Sequence, residues 1–343
     1  MAKITVLVVD DSAIARKALK EILETDRNIE VVGTAPDPFI ARDKILELKP
    51  NVVSLDVEMP RMDGVTFLHK LMKHYPIPVV MVSSLTQKGA ETTMAAMEAG
   101  AVEIVAKPVL EKHNFSLIAS ELIDKIKAAA RAKLKPPLSA ADLKKRRRPL
   151  TSMVATTNKI VAIGASTGGT EALKDILMKM PPNSPGILVV QHMPELFTTA
   201  FAKRLNDLCE ITVKEASNGD SVTNGVCLIA PGSRHMVLRR SGSLYYVEVK
   251  EGAPVNRHRP SVEVLFNSVA RNAGPNAVGV ILTGMGADGA QGLLNMKNEG
   301  ARTIAQDEAT SVVFGMPKEA IKLGAVDRIL PVDRIAENIF KLL

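Results

Sequence analysis

The chain has 343 residues, 46% apolar and 3% aromatic with no tryptophan, and a formal net charge of +7. That length exceeds what a single hydrophobic core usually fills, so two domains are expected, and the scarcity of aromatic residues excludes a base-stacking nucleic-acid surface. No apolar run approaches the ~18 residues that cross a bilayer, and Ile4–Val9 stops at Asp10-Asp11 instead of continuing as a signal peptide. Cys209 and Cys227 form no metal or redox spacing. These features predict a cytoplasmic protein without membrane insertion, and a monomer.

The basicity is local. Arg131, Lys133, Lys135, Lys144, Lys145, Arg146, Arg147 and Arg148, against Asp142, account for the whole excess, and the rest of the chain is neutral. With Pro136, Pro137 and Pro149 interspersed, residues 131–150 are expected to be a flexible, solvated basic linker. It separates a first domain, residues 1–130, from a second, residues 151–343.

In the first domain, apolar runs at Ile4–Val9, Glu30–Val32, Val52–Leu55, Val79–Val82 and Glu103–Val105 alternate with helical stretches. The helices are expected at Ala13–Leu23, Phe39–Leu48, Val65–His74, Ala90–Ala99 and Ser116–Ala132. Five βα repeats imply a (βα)5 parallel sheet covered on both faces. Function in such sheets collects at the carboxyl ends of the strands. There the chain places Asp10, Asp11, Asp56, Ser83 and Lys107. Three carboxylates repel one another unless a cation joins them, and hard oxygen ligands suit Mg²⁺. A lysine and a hydroxyl opposite them suit the oxygens of a phosphoryl group on Asp56.

These residues, with the run Asp56-Val57-Glu58-Met59-Pro60-Arg61-Met62-Asp63-Gly64, resemble a response-regulator receiver domain. The resemblance implies a flavodoxin-like (βα)5 fold and phosphorylation of Asp56 by a histidine kinase, with Mg²⁺ held by Asp10, Asp11, Asp56 and the main-chain carbonyl of Glu58. Ser83 and Lys107 would close on the phosphoryl group.

The second domain shows another α/β pattern, with strands expected at Lys159–Ile163, Ile187–Val190, Ile211–Val213, Val226–Ile229, Val278–Leu282 and Thr303–Ala305. They predict a doubly wound, mostly parallel sheet. Met236–Arg239 and Tyr245–Val249, joined through Ser241-Gly242-Ser243, read as an antiparallel hairpin at one edge. The first strand runs into Gly164-Ala165-Ser166-Thr167-Gly168-Gly169 and then a helix. The spacing matches G-x-S-x-G, the strand–turn–helix that exposes a nucleophilic hydroxyl. A plain βα turn is one alternative. A phosphate cradle is another, but it needs glycine at position 166 and no Gly-Lys-Ser/Thr follows.

A nucleophilic serine needs a base and an orienting acid. His192 follows the strand Ile187–Val190, and Asp288 follows Val278–Leu282, so both fall beyond carboxyl ends of the same sheet as Ser166. Taken singly, His192 could cap its strand and Asp288 could cap the helix from Gln291 onward; as a set they suit a Ser-His-Asp triad. The glycines around Asp288 would let main-chain N–H groups face an oxyanion. His235 and His258 lie in loops near arginines with no strand-end nucleophile of their own. No H-x-x-x-H or Cys/His cluster suggests a metal hydrolase.

Three segments resemble the catalytic blocks of the chemotaxis protein-glutamate methylesterases, the CheB family: Ile163–Thr170, Gln191-His192-Met193-Pro194 and Leu282–Gly289. Pro231-Gly232 and Asn256-Arg257-His258-Arg259-Pro260-Ser261 match as well. The resemblance implies a phosphorylation-activated esterase that hydrolyses glutamate γ-methyl esters on chemoreceptors and deamidates certain receptor glutamines. It implies Thr167 in the pocket, main chain near Met285 at the oxyanion, a chemotaxis histidine kinase as phosphodonor and no cofactor for the esterase. A binding module with no turnover, and a DNA-binding regulator bearing a receiver, are the competing classes; the neutral second domain disfavours the latter.

Overall fold

The computed structural model describes residues 3–84, 86–107, 115–134 and 159–343. His113 and the basic segment beyond residue 134 lie outside the described residues. The chain divides into two compact units, Met1–Pro136 and Pro137–Leu343.

Among the described residues of unit 1 five strands alternate with five helices: β1 (Ile4–Val9), α1 (Ala13–Glu24), β2 (Ile29–Ala35), α2 (Pro38–Leu48), β3 (Val52–Asp56), α3 (Gly64–His74), β4 (Val79–Ser83), α4 (Gln87–Glu98), β5 (Glu103–Ala106) and α5 (Phe115–Ala129). The sheet order is β2-β1-β3-β4-β5, with every pairing parallel. β3 and β4 are buried along their whole length, as helices on both faces require. Helix starts are fixed by side-chain caps. The Asp37 carboxylate accepts from the N–H groups of Phe39 and Ile40, and Asp63 accepts from Thr66.

Unit 2 contains β6 (Ile160–Ala165), α6 (Gly169–Leu177), β7 (Gly186–Gln191), α7 (Phe197–Leu208), β8 (Thr212–Glu215), β9 (Val226–Ile229), β10 (His235–Ser241), β11 (Leu244–Lys250), α8 (Val262–Ala273), β12 (Ala277–Ile281), α9 (Ala290–Asn298), β13 (Arg302–Gln306), α10 (Met316–Lys322), β14 (Arg328–Leu330) and α11 (Val332–Leu342). Seven strands form one parallel sheet, β14-β13-β12-β6-β7-β9-β8. β6, β7 and β12, wholly buried, occupy its centre.

The antiparallel hairpin forms where the sequence places it, but it does not extend an edge. Among the described strands β10 and β11 pair only with each other and make a separate two-stranded sheet. Its apolar face, with Met236, Leu238 and Val247 buried, belongs to the core cluster that also holds Leu265, Phe266 and Val269 of α8. Polar bonds fix the hairpin to that helix: Ser268 Oγ accepts from Leu238 N at 2.8 Å, and Asn272 donates to Leu238 O at 3.1 Å. Core burial against α8, together with main-chain bonds from β11 to residues 219–222 (Gly219 N to Val247 O, Val247 N to Asp220 O and Val222 N to Tyr245 O), decides where the hairpin sits. The short edge strand β14 was not expected.

Candidate active site and phosphoryl-acceptor site

In unit 1 the expected residues converge. Asp10, Asp56 and Ser83 are buried and Asp11 is exposed. Lys107 Nζ lies 2.7 Å from Asp56 Oδ2 and 3.0 Å from Asp10 Oδ2. Burial pushes the Asp56 carboxyl up to about 6; the Lys107 bond opposes this and the charge of Asp10 adds to it. Burial would lower the Lys107 ammonium, but its bonds to Asp56 and Asp10 outweigh that and raise it. Carboxylate oxygens of Asp10, Asp11 and Asp56 all lie within 4.8 Å of one another. Asp10 Oδ2 is buried and, beyond its ion pair with Lys107, has no well-aligned hydrogen bond. A hard all-oxygen set with spare lone pairs fits Mg²⁺. Glu58 is exposed, and its N–H donates to Asp56 Oδ1 at 3.3 Å. Ser83 sits beside Asp56 on the next strand, where Asp56 pairs with Val82.

In unit 2 the sheet register brings Ser166 and His192 together. Ala165 pairs with Gln191, so Ser166 and His192 are the next residues on two neighbouring strands, and His192 N donates to Ala165 O at 3.1 Å. On the other side Ser166 N donates to Thr283 O at 3.0 Å. Ser166 thus sits between β7 and β12, at the carboxyl ends of the three central strands. Gly168, with φ 77°, turns the chain into α6, a conformation that a side chain would oppose. Gly164 has another reason: a Cβ there would lie 2.2 Å from Val262 Cγ1, and one on Gly289 would lie 2.3 Å from the same atom. These two hollows let the start of α8 approach both β6 and the Asp288 loop.

That approach defines the surroundings of Asp288. Its Oδ2 accepts from His192 Nε2 at 2.8 Å and Val262 N at 2.7 Å; its Oδ1 accepts from Ser261 Oγ at 2.8 Å, Asn256 Nδ2 at 2.9 Å and Glu263 N at 3.3 Å. Burial would raise this carboxyl, but the bond and charge of His192, followed by Asn256 and Ser261, hold it well below the usual carboxylate range. Asp288 does cap a helix, though not the following one, which begins after Gly289. It caps α8 from across the fold, at the positive end of the helix dipole. An ionised carboxylate can only accept, so His192 Nε2 carries the proton of this bond. Nδ1 is buried and has no hydrogen-bond partner among the described residues.

Several residues that spacing could not identify complete the arrangement. The Gln191 amide donates to Ser166 O at 3.0 Å and to His192 O at 3.3 Å. Thr283 Oγ1 donates to Thr167 O at 2.9 Å, and Gln306 Oε1 accepts from Thr283 N at 2.8 Å. Thr167 is buried and Met285 half-buried on the Gly284–Gly289 loop. Asn256 and Ser261 reach Asp288 across 32 and 27 residues, and the His258 ring stacks on that of His192 with centroids 3.7 Å apart.

The protein therefore joins a receiver-type unit to an α/β unit with Ser, His and Asp gathered at the carboxyl edge of its sheet. Comparison with known proteins agrees. Residues 6–118 match the response regulator receiver domain and residues 161–339 the CheB methylesterase domain. The chain belongs to the CheB methylesterase family. It is 59% identical, over the full length of both chains, to "Protein-glutamate methylesterase/protein-glutamine glutaminase 2" of Syntrophus aciditrophicus (strain SB). It is 54% identical to the protein-glutamate methylesterase/protein-glutamine glutaminase of Sulfurimonas denitrificans, covering 99% of this chain and 98% of that one. Among solved structures, the crystal structure of the Thermotoga maritima CheB methylesterase catalytic domain is 40% identical, with a TM-score of 0.53. The match covers 55% of this chain and all of that one. No helix among the described residues is long and apolar enough to cross a membrane.

Proposed function

We propose that the chain is a phosphorylation-activated serine hydrolase of chemotaxis. Its substrates are glutamate γ-methyl esters on chemoreceptors, with methanol released, and receptor glutamines, with ammonia released. The receiver spans residues 1–130, the linker 131–150 and the catalytic domain 151–343. The observation that carries this is the main-chain adjacency of Ser166 and His192 at neighbouring strand ends, with Asp288 bonded to His192 Nε2 at 2.8 Å; the names of the relatives supply the substrate class.

Ser166 Oγ attacks the ester carbonyl while His192 Nδ1 takes its proton. Asp288 holds the imidazole plane and tautomer and offsets the imidazolium charge. Main-chain N–H groups near Met285 face the oxyanion, and Thr167 lines the pocket. The imidazolium returns the proton to the leaving methoxide, and water, deprotonated by the same nitrogen, then frees the glutamate from Ser166.

In the receiver, Asp56 accepts the phosphoryl group from a histidine kinase, and Ser83 and Lys107 bind its oxygens. Asp10, Asp11, Asp56 and the Glu58 carbonyl would hold Mg²⁺, which supplies charge neutralisation at the phosphoryl group. The receiver lowers esterase activity until Asp56 is phosphorylated.

The test is methanol release from methyl-labelled receptor membranes by wild type, Ser166→Ala and Asp56→Asn, with and without a small phosphodonor and Mg²⁺. Release should vanish with Ser166→Ala, and the donor should stimulate only chains that keep Asp56. Release by Ser166→Ala at the wild-type rate would remove the serine from the mechanism.

A further inference from the structure

The imidazole of His192 is held at one edge by Asp288, and a single hydrogen bond leaves a ring free to rock about it. A second restraint lies on the ring face. His258 stacks on His192 with centroids 3.7 Å apart and planes 14° from parallel.

The backbone that delivers His258 is unusually constrained. Val255 and His258 exchange both main-chain hydrogen bonds, at 3.0 and 2.9 Å, closing a two-residue turn. Its central residues, Asn256 and Arg257, have φ of 51° and 69°. Two successive positive φ values are the mark of a primed hairpin turn. Asparagine accepts that region, whereas arginine enters it reluctantly. Strain of this kind persists where the surroundings over-determine it, and here they do. The flanks of the turn are tied down by His235, whose Nδ1 accepts from Ser261 N at 3.3 Å. Its Nε2 then carries the proton and donates to Ala253 O at 3.0 Å. Arg259 Nη1 donates to Gly252 O at 2.6 Å. From the same turn Asn256 reaches Asp288, and Ser261 reaches it from just beyond.

Resting on the assignment of His192 as the base, we propose that residues 253–261 form a clamp in which His258 is the positioning residue. One short loop holds the carboxylate through Asn256 and Ser261 and the imidazole through the ring of His258, so that acid and base keep their mutual angle. The His258 ring also covers one face of the imidazole, which keeps water off a ring that becomes charged during turnover. Stacking is a property of the ring, not of its nitrogens, so another flat ring should serve.

The test uses the full chain with His258→Ala and His258→Phe. The first readout is the rate at which a fluorophosphonate probe labels Ser166, as a function of probe concentration, with Ser166→Ala as the blank. The second is the downfield ring N–H proton of His192 in NMR spectra of ¹⁵N-histidine-labelled protein. His258→Ala should label roughly 10-fold more slowly at saturating probe, with half-saturation unchanged, as expected for loss of a desolvated ring contact. It should also lose or broaden the His192 N–H signal. His258→Phe should restore both to near wild type. Equal slowing by Ala and Phe, or wild-type labelling and an intact N–H signal in His258→Ala, would overturn the clamp while leaving the nucleophile in place. Wild-type labelling no faster than the Ser166→Ala blank would instead remove the nucleophile, and the clamp with it.

Discussion

Replacing Asp288 by asparagine tests the site most severely, because shape is kept while acceptor capacity and charge are lost. The carboxylate receives five donors. Two of them, the N–H groups of Val262 and Glu263, approach opposite oxygens and cannot turn away. Whichever way the amide is placed, its NH₂ confronts a main-chain N–H. A hydrogen bond to a charged group contributes about 1.5–3 kcal/mol, and a buried donor left unpaired costs a further ~1–3. Allowing for relaxation, Asp288→Asn should destabilise unit 2 by about 3 kcal/mol. For a domain of this size that lowers Tm by roughly 6–12 °C. If the amide turns its NH₂ to His192, the ring must present a lone pair there and carry its proton on Nδ1, the wrong tautomer to accept the serine proton. Activity should then fall by roughly 10³–10⁴-fold. Differential scanning calorimetry of the full chain and methanol release from receptor membranes measure the two effects. Activity within tenfold of wild type together with Tm within about 2 °C would refute the five-donor account.

Four further outcomes follow from the geometry. Asp288 has its carboxyl lowered in the folded state, so the unfolded chain binds the extra proton. Its contribution to stability is complete above the ordinary carboxylate value, near pH 4, and is lost as pH falls toward the folded value; thermal melts between pH 6 and pH 2 should show a steeper acid slope for wild type than for Asp288→Asn. Gly284→Ala places a Cβ 2.7 Å from Ser166 Cβ and 2.4 Å from Met316 Sδ, and should cut fluorophosphonate labelling of Ser166 by at least tenfold. Gln191→Leu removes the amide that spans Ser166 O and His192 O, and should lower kcat by roughly tenfold with KM little changed, read by steady-state methanol release. Lys107→Ala leaves Asp10 and Asp56 buried together; unit 1 should lose about 2 kcal/mol, less than for a fully buried pair because the ammonium is partly exposed, and urea titrations with added Mg²⁺ should recover part of it.

The parallel strands were legible because their burial is written locally, as short β-branched runs such as Ile4–Val9 and Ile187–Val190 ending at turn residues. The sites were partly legible for the same reason, since strand ends can be counted and Asp10, Asp56, Ser166 and His192 all stand at them. What spacing cannot show is a bond between distant segments. Asn256, Ser261 and Val262 meet Asp288 only because Gly164 and Gly289 admit Val262, which no periodicity announces. His258 and His235 looked like ordinary loop histidines because their partners lie on other strands and loops. β14 escaped because an Arg-Ile-Leu edge strand of three residues carries too little pattern. The hairpin was found, but its position depends on which surface buries Met236 and Leu238, and strand alternation is silent on that.

The separate hairpin has a consequence for how the protein fails. It has no ladder to the seven-stranded sheet, yet His235 at its first position anchors the Ala253–Ser261 loop, and Leu238 is bonded to α8. A small two-stranded sheet opens at lower free energy than the central strands. Detachment of this one strut would release the clamp and the helix end that fix Asp288, while β6, β7 and β12 stay closed. On warming, esterase activity should therefore vanish a few degrees before the main calorimetric transition, with the amides of β10 and β11 exchanging ahead of those in the central strands. Activity would then be lost through a local opening of the hairpin while the central strands of the sheet are still paired.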